Sequence, residues 1–191
     1  FKISNENYGQ GWSPSGISEQ FSMDGSRSLY GATKLSSELL LTEYNAMYDL
    51  RSIVNRCGVI TGPWQLGVVD QGFVSLWAAR HLFKGKLFYI GFGGKGCQVR
   101  DILHVSDLYT LIRCQLENLD NLSGQTFNVG GGEALSVSLA ELTRLCQKRS
   151  GHTIELSCNT QTRDADVPWY ITDISKINNL TGWKPEHNLD S

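Results

Sequence analysis

The chain has 191 residues, enough for one compact domain with a substantial core, or for one domain and part of a second. It is 40% hydrophobic and 19% charged with a formal net charge of -2, a balance that excludes a basic nucleic-acid surface and an acidic disordered tail. No apolar run approaches the roughly 18 residues of a membrane span.

The chain opens on Phe1 within a loop-like stretch, as a fragment does, and its first residues lack the apolar core of a signal peptide. Residues 5–28 are rich in Gly, Ser and Asn without apolar periodicity and predict a surface loop on the substrate side. Residues 28–48 predict a helix, with Leu35, Leu39, Leu40 and Tyr44 as an apolar stripe and Glu38 and Glu43 polar. The β-branched run 50–60 predicts a buried parallel strand, stopped by Thr61-Gly62-Pro63. Residues 71–84 predict a helix with Phe73, Leu76, Trp77 and Leu82 inward. A strand at 87–90, a glycine turn at 91–96 and a strand at 98–103 follow. A helix is expected over 105–118 with Ser106 as its cap, then a strand at 126–129 ended by Gly130-Gly131-Gly132. Ser138-Leu139-Ala140-Glu141 reads as a capping box opening a helix over 138–150. A short strand at 154–156 and a last helix beginning within 172–176 complete the pass. Strands alternating with helices imply an α/β fold with parallel strands.

The five cysteines are scattered and contain no Cys-x-x-Cys, so they read as reduced thiols of a cytoplasmic protein. Neither glycine cluster fits a dinucleotide fingerprint. Gly91-x-Gly93-Gly94-x-Gly96 is followed by a strand, so no helix N-terminus aims at a pyrophosphate, and Gly130-Gly131-Gly132 reads as a turn where backbones pass closely.

Tyr30 and Lys34 stand four residues apart and share one helix face. An ammonium beside a phenol favours the phenolate, which can take a proton from a sugar hydroxyl while hydride leaves the same carbon. By spacing alone the pair reads equally as an exposed helix face. Arg100 and Arg163 offer planar donor forks suited to a diphosphate, or else salt bridges and a solvated loop. Asp166 suits ribose hydroxyls or pairing with Arg163. Gln98 and Tyr89 are candidates for a nucleotide pocket, Tyr89 equally for the core, and Gln71 and Phe73 for the sugar side. His81 and His152 have no partner at ligand spacing, and Asp101 and Asp107 read as caps or pairing groups.

Several stretches, in order, resemble the C-terminal part of an extended short-chain dehydrogenase/reductase of the nucleotide-sugar epimerase and dehydratase kind. They are Tyr30-Gly31-Ala32-Thr33-Lys34, the Asn55-Arg56-Cys57-Gly58-Val59-Ile60-Thr61-Gly62-Pro63 strand and turn, and Val99-Arg100-Asp101 with His104-Val105-Ser106-Asp107. Phe127-Asn128-Val129-Gly130 and Arg163-x-x-Asp166-Val167-Pro168 with Asp173-x-x-Lys176 complete the set. Asn55-Arg56-Cys57-Gly58, Asp70-Gln71-Gly72-Phe73 and Gln98-Val99-Arg100-Asp101 resemble the branch that epimerises CDP-paratose to CDP-tyvelose at C2.

The resemblance implies the C-terminal part of a Rossmann-like parallel sheet with helices plus a small α/β substrate-binding region, the N-terminal βαβ portion of somewhat over one hundred residues being absent. Residues 1–63 would complete the NAD-binding domain, and 64–191 would mainly bind nucleotide sugar, with some strands and helices returning to the Rossmann sheet. It implies NAD as cofactor, held by Tyr30, Lys34, Arg56, Gly58 and Val59, with Tyr30 and Lys34 catalytic. It implies a CDP-sugar substrate against Gln71, Phe73, Tyr89, Gln98, Arg100, Arg163 and Asp166, a structural His104, and a homodimer or higher homo-oligomer. The fragment alone is expected to be inactive. Alternatives are another nucleotide-sugar 4-epimerase, 4,6-dehydratase or reductase, or a noncatalytic nucleotide-sugar-binding piece.

Overall fold

The computed structural model describes residues 9–68, 71–163 and 166–190. Residues 5–8 of the predicted loop and Asp70 of the Asp70-Gln71-Gly72-Phe73 stretch lie outside the described residues. The remainder of that loop is less open than its composition predicts. It forms a small antiparallel hairpin, β1 (Trp12–Ser13) and β2 (Gly16–Ile17), with Trp12 against Phe21 at 5.5 Å between ring centroids.

Helix α1 (Leu29–Tyr48) starts where expected, because the Ser28 hydroxyl accepts the Gly31 amide at 3.1 Å and satisfies one orphan donor of the first turn. Its apolar stripe is not buried, contrary to the amphipathic reading: Leu39, Leu40 and Tyr44 are all more than half exposed and no α1 residue is fully buried. The face turned to the protein carries Gly31, Leu35, Glu38, Leu41 and Asn45, which sit at partial exposure one turn apart.

The predicted single strand over 50–60 is two strands, β3 (Val54–Cys57) and β4 (Val59–Thr61). β3 runs parallel to β7 (Thr126–Val129), whereas β4 runs parallel to β6 (Val99–His104). The change of partner falls at Gly58, whose amide donates to Val129 O at 2.8 Å. β6 is the hub: it pairs in parallel with β4 and with β10 (Trp169–Tyr170), and antiparallel with β8 (Ser136–Ser138). A separate parallel pair joins β5 (Leu87–Ile90) to β9 (Leu156–Asn159). Apart from β1 with β2 and β6 with β8, the strand pairs are parallel, so the α/β class read from the sequence stands.

The remaining helices pack around these strands. In α2 (Phe73–Leu82), Trp77 is buried and Phe73 and Leu76 pack against the same cluster, but Leu82 is 58% exposed, not inward. α3 (Val105–Glu117) is capped by His104, whose Nδ1 accepts the Ser106 amide at 3.2 Å, so His104 takes the cap role expected of Ser106. A short helix α4 (Leu119–Leu122), not predicted, follows it. α5 (Leu139–Ser150) carries the expected capping box between Ser138 and Glu141. α6 (Ser175–Thr181) ends at Gly182 in the left-handed region, and Trp183 folds back so that its Nε1 donates to Asp107 O at 3.2 Å.

Two hydrophobic cores result. One gathers Leu103, Leu111, Leu122, Phe127, Val129, Ile177 and Trp183 between β6, β7, α3 and α6. The other gathers Trp77, Leu87, Ile102, Val137, Leu142 and Ile154 between α2, α5 and the strands they cover. Leu103 and Ile102, successive residues of β6, face opposite sides and feed one core each, as the strand period requires. Among the described residues no cysteine forms a disulfide.

Between the cores lies a buried polar node. Asp101 is fully buried on β6, and its carboxylate accepts the Gly132 amide at 3.0 Å. Burial pushes this carboxyl above the usual carboxylate range. The backbone of Gly130 lies so close to Asp101 Oδ2 and Thr172 Oγ1 that any β-carbon there would overlap both. The Gly130-Gly131-Gly132 run is therefore a close-approach turn, as its composition predicts.

Candidate active site

A cleft of about 340 Å³ opens between α2, β5, β6 and the residues Arg163 and Asp166. It brings together five of the seven residues nominated for substrate: Phe73, Gln98, Arg100, Arg163 and Asp166. Phe73 comes from the first turn of α2, Gln98 and Arg100 from the start of β6, and Arg163 and Asp166 from the stretch before β10. Apolar walls are supplied by Leu76, Trp77, Leu87, Val137 and Leu139.

Tyr89 and Gln71 do not line this cleft. Tyr89 stacks on Trp77 with ring centroids 6.4 Å apart and planes 17° apart, and its hydroxyl lies 2.7 Å from Thr143 Oγ1. A phenol with an apolar ring face and one satisfied hydroxyl is a core residue. Gln71 is exposed, its backbone paired with Val68.

Arg100 is tightly held in the cleft. Its Nη2 donates to Asp166 Oδ1 at 3.0 Å and to Val167 O at 2.7 Å, and its Nη1 donates to Val99 O at 2.8 Å. Its partner is thus Asp166, neither of the neighbouring aspartates Asp101 and Asp107, and Asp166, read as suiting either ribose hydroxyls or Arg163, pairs with Arg100. Desolvation lowers the Arg100 pKa from its usual value, and the Asp166 carboxylate opposes that shift. Arg80 and Lys86 also line the cleft, so among the described residues four cations and one carboxylate line it. Such an excess suits an anionic ligand. Neither Arg80, at the end of α2, nor Lys86, before β5, stands in a motif, so sequence reading missed them; Lys86 also pairs with Glu155 at 3.1 Å.

Gln98 is held by its own amide, whose Nε2 donates to Ile90 O at 2.8 Å, the last residue of β5. The glycine turn between β5 and β6 passes through a short 3-10 segment, Phe92–Gly94, and packs Gly96 against the Tyr89 ring. Those contacts are structural.

On α1, Lys34 Nζ lies 5.4 Å from the centroid of the Tyr30 ring, and the Tyr30 side chain is 71% exposed. The two groups share a face, and the ring is not packed in hydrocarbon. Gly58 and Val59 lie where β3 passes into β4, with Val59 half-buried. Arg56, nominated for the cofactor, is instead turned to α1. Its Nε donates to Glu38 Oε1 and Oε2 at 3.0 and 3.1 Å, and its Nη2 donates to Oε2 at 2.6 Å.

The histidines hold structure. His104 stacks on His187 at 4.2 Å, and His187 Nδ1 lies 2.9 Å from the buried Asp107 carboxylate. Asp107 also accepts the Glu186 and His187 amides, so it pairs and caps as expected. His81 is fully buried with Nδ1 2.8 Å from Trp77 O, and His152 Nδ1 lies 3.0 Å from His81 O.

A family profile described as the NAD dependent epimerase/dehydratase family matches residues 1–130. The chain belongs to that family. It is similar to the CDP-paratose 2-epimerase of Salmonella typhi, at 31% identity over 91% of this chain and 51% of that protein. It is also similar to the dTDP-glucose 4,6-dehydratase 1 of Escherichia coli, at 29% identity over 85% of this chain and 44% of that one. The chain therefore spans about half the length of the curated relatives it matches. Among solved structures, the Thermotoga maritima UDP-glucose 4-epimerase with UDP-glucose superposes with a TM-score of 0.74 at 27% identity, over 87% of this chain and 51% of that one. MoeE5, in complex with UDP-glucose and NAD, gives a TM-score of 0.76 at 25% identity, over 95% and 57%. These neighbours agree with the Rossmann-like reading of the fold.

Proposed function

We propose that the full-length protein is an NAD-dependent nucleotide-sugar epimerase that converts CDP-paratose to CDP-tyvelose at C2. The observation that carries this reading is the Tyr30–Lys34 pair, exposed and one-sided on α1 of a chain that also builds a cation-rich cleft. In this reading, residues 1–63 complete the cofactor domain, residues 64–191 mainly take the nucleotide sugar, and the protein works as a homodimer.

The residues fit the nicotinamide end of NAD. An uncovered hydroxyl and ammonium one helical turn apart present hydrogen-bonding groups to one ribose, and Gly58 and Val59 supply backbone nearby in sequence to the Gly62-Pro63 turn. NAD supplies a hydride acceptor that returns the same hydride, so net redox is zero. Tyr30, as phenolate, takes the proton of the C2 hydroxyl and gives it back after the planar 2-keto sugar has turned over. Lys34 stabilises the phenolate charge and binds the nicotinamide ribose. Arg100 and Arg163 hold the substrate diphosphate, and Gln98, Phe73 and Asp166 line its nucleoside and sugar ends.

The test is product NMR from the full-length protein with NAD. CDP-tyvelose from CDP-paratose, and no turnover of UDP-glucose or dTDP-glucose, is the expected result. Epimerisation at C4 of a UDP-sugar, or a 4-keto-6-deoxy product from dTDP-glucose, would replace this reaction with another of the family.

Arg100→Met gives a second check. Loss of a charge-assisted hydrogen bond to an anion is worth about 1.5–3 kcal/mol, so the Kd of CDP measured by calorimetry should rise roughly ten- to a hundredfold. An unchanged Kd would remove Arg100 from the diphosphate site.

A further inference from the structure

We propose that Arg56 is a positioning residue for the catalytic pair: by holding Glu38, it keeps that carboxylate off Lys34 and leaves the lysine ammonium to Tyr30. This rests on the reading of Tyr30 as the proton acceptor.

Tyr30, Lys34 and Glu38 stand at positions i, i+4 and i+8 of α1. Residues four apart on a helix are neighbours, so Lys34 has an aromatic ring one turn before it and a carboxylate one turn after it. It cannot serve both. Its ammonium sits 5.4 Å from the Tyr30 ring centroid, while Glu38 is taken by Arg56 through three donor contacts of 2.6–3.1 Å.

Arg56 wins this competition on geometry and on burial. A guanidinium fork matches both carboxylate oxygens, whereas an ammonium is a point charge on a flexible stem. The Arg56 and Glu38 side chains are only 25% and 21% exposed, so their attraction is less screened than that of a surface Lys–Glu pair. The Glu38 hydrogen bond also raises the Arg56 pKa from its usual value, against the effect of desolvation. Beneath the helix, a gap of about 240 Å³ separates α1 from β3 and β7, lined by Leu35, Glu38, Thr42, Asn45 and Arg56 among others. The ion pair bridges that gap one helical turn beyond Lys34.

Other charged groups lie near the same place. Beyond Arg56 lie Glu19 and Tyr170, both of which reinforce its cationic form. Arg27 lies against Gly31 at the start of α1 and donates to Gly25 O. No anion besides Glu38 lies one turn from Lys34 on α1, where Ser37 and Thr33 fill the adjacent positions.

Removing Arg56 frees Glu38 to pair with Lys34. Tyr30 then loses its cation, and its phenolate becomes harder to form. Because the phenolate is the working base, the rate rises with pH as the phenol ionises, and weaker stabilisation moves that rise upward. In the full-length protein with NAD and CDP-paratose, Arg56→Met is expected to move the ascending limb of the kcat–pH profile upward, with a roughly tenfold loss of rate below it. The double variant Glu38→Gln/Arg56→Met should return the limb to its wild-type position, and Glu38→Gln alone should leave it there. A second readout needs no turnover: the NOE between the Lys34 side chain and the Tyr30 ring should weaken in Arg56→Met and recover in the double variant. Equal shifts in all three variants would mean that the pair only props the helix, and would overturn the proposal, as would an undiminished NOE in Arg56→Met. Activity in Tyr30→Phe would instead overturn the underlying reading, and the NOE would still decide the role of Arg56.

Discussion

Tyr30→Phe in the full-length protein is expected to lower kcat by roughly 10²–10⁴-fold, the usual contribution of a positioned general acid–base group. The substitution removes one oxygen from a side chain that is 71% exposed and makes no packed contact with either core, so the melting temperature should not change. The ring stays beneath the Lys34 ammonium, so cofactor affinity should fall only modestly. That combination, a lost rate with retained stability and binding, separates a proton-transfer group from a structural one. It is measured by steady-state kinetics beside thermal unfolding. Epimerisation surviving near the wild-type rate would show that another group moves the proton.

Gly130→Ala is expected to be strongly destabilising. A β-carbon at residue 130 would overlap the buried Asp101 carboxylate and the Thr172 side chain together. Neither can yield easily: Thr172 is fully buried beside β10, and Asp101 is fixed by the Gly132 amide. Overpacking of this kind costs about 1–3 kcal/mol in an apolar core, and displacing a buried carboxylate from its hydrogen bond adds to it. A total of about 3 kcal/mol would lower Tm by roughly 6–12 °C in a domain of this size. Gly124→Ala is the control, since a β-carbon at residue 124 meets nothing within 4 Å, although its φ of 78° adds some backbone strain. A Gly130→Ala protein that melts with the wild type would mean the node around Asp101 is looser than its packing indicates.

Features written in adjacent residues were legible from the sequence. Ser138 caps its helix because a hydroxyl reaches the third amide on, whatever the surrounding fold. The order of strands and helices followed from side-chain periodicity, and the family motifs nominated Gln98, Arg100, Arg163 and Asp166, which the fold gathers in one cleft. Features set by a distant partner were not legible. A β-branched run reads the same whether it pairs with one strand or two, so the division of β3 from β4 at Gly58 was invisible until β6 and β7 were in place. Tyr89 was ambiguous because Thr143, which holds its hydroxyl, lies 54 residues away. The Arg56–Glu38 ion pair was not foreseen because Glu38, 18 residues earlier, carries no local sign that it will turn inward. The apolar stripe of α1 is real in the sequence, but among the described residues no element covers it fully.

The central claim is that Tyr30 and Lys34 support reversible oxidation of a sugar carbon whose hydrogen never leaves the site. CDP-paratose carrying deuterium at C2, turned over by the full-length protein with NAD in ordinary water, tests it directly. The account predicts CDP-tyvelose with the deuterium still on C2. Deuterium lost to solvent would point to carbon deprotonation in place of hydride return, and would contradict the account.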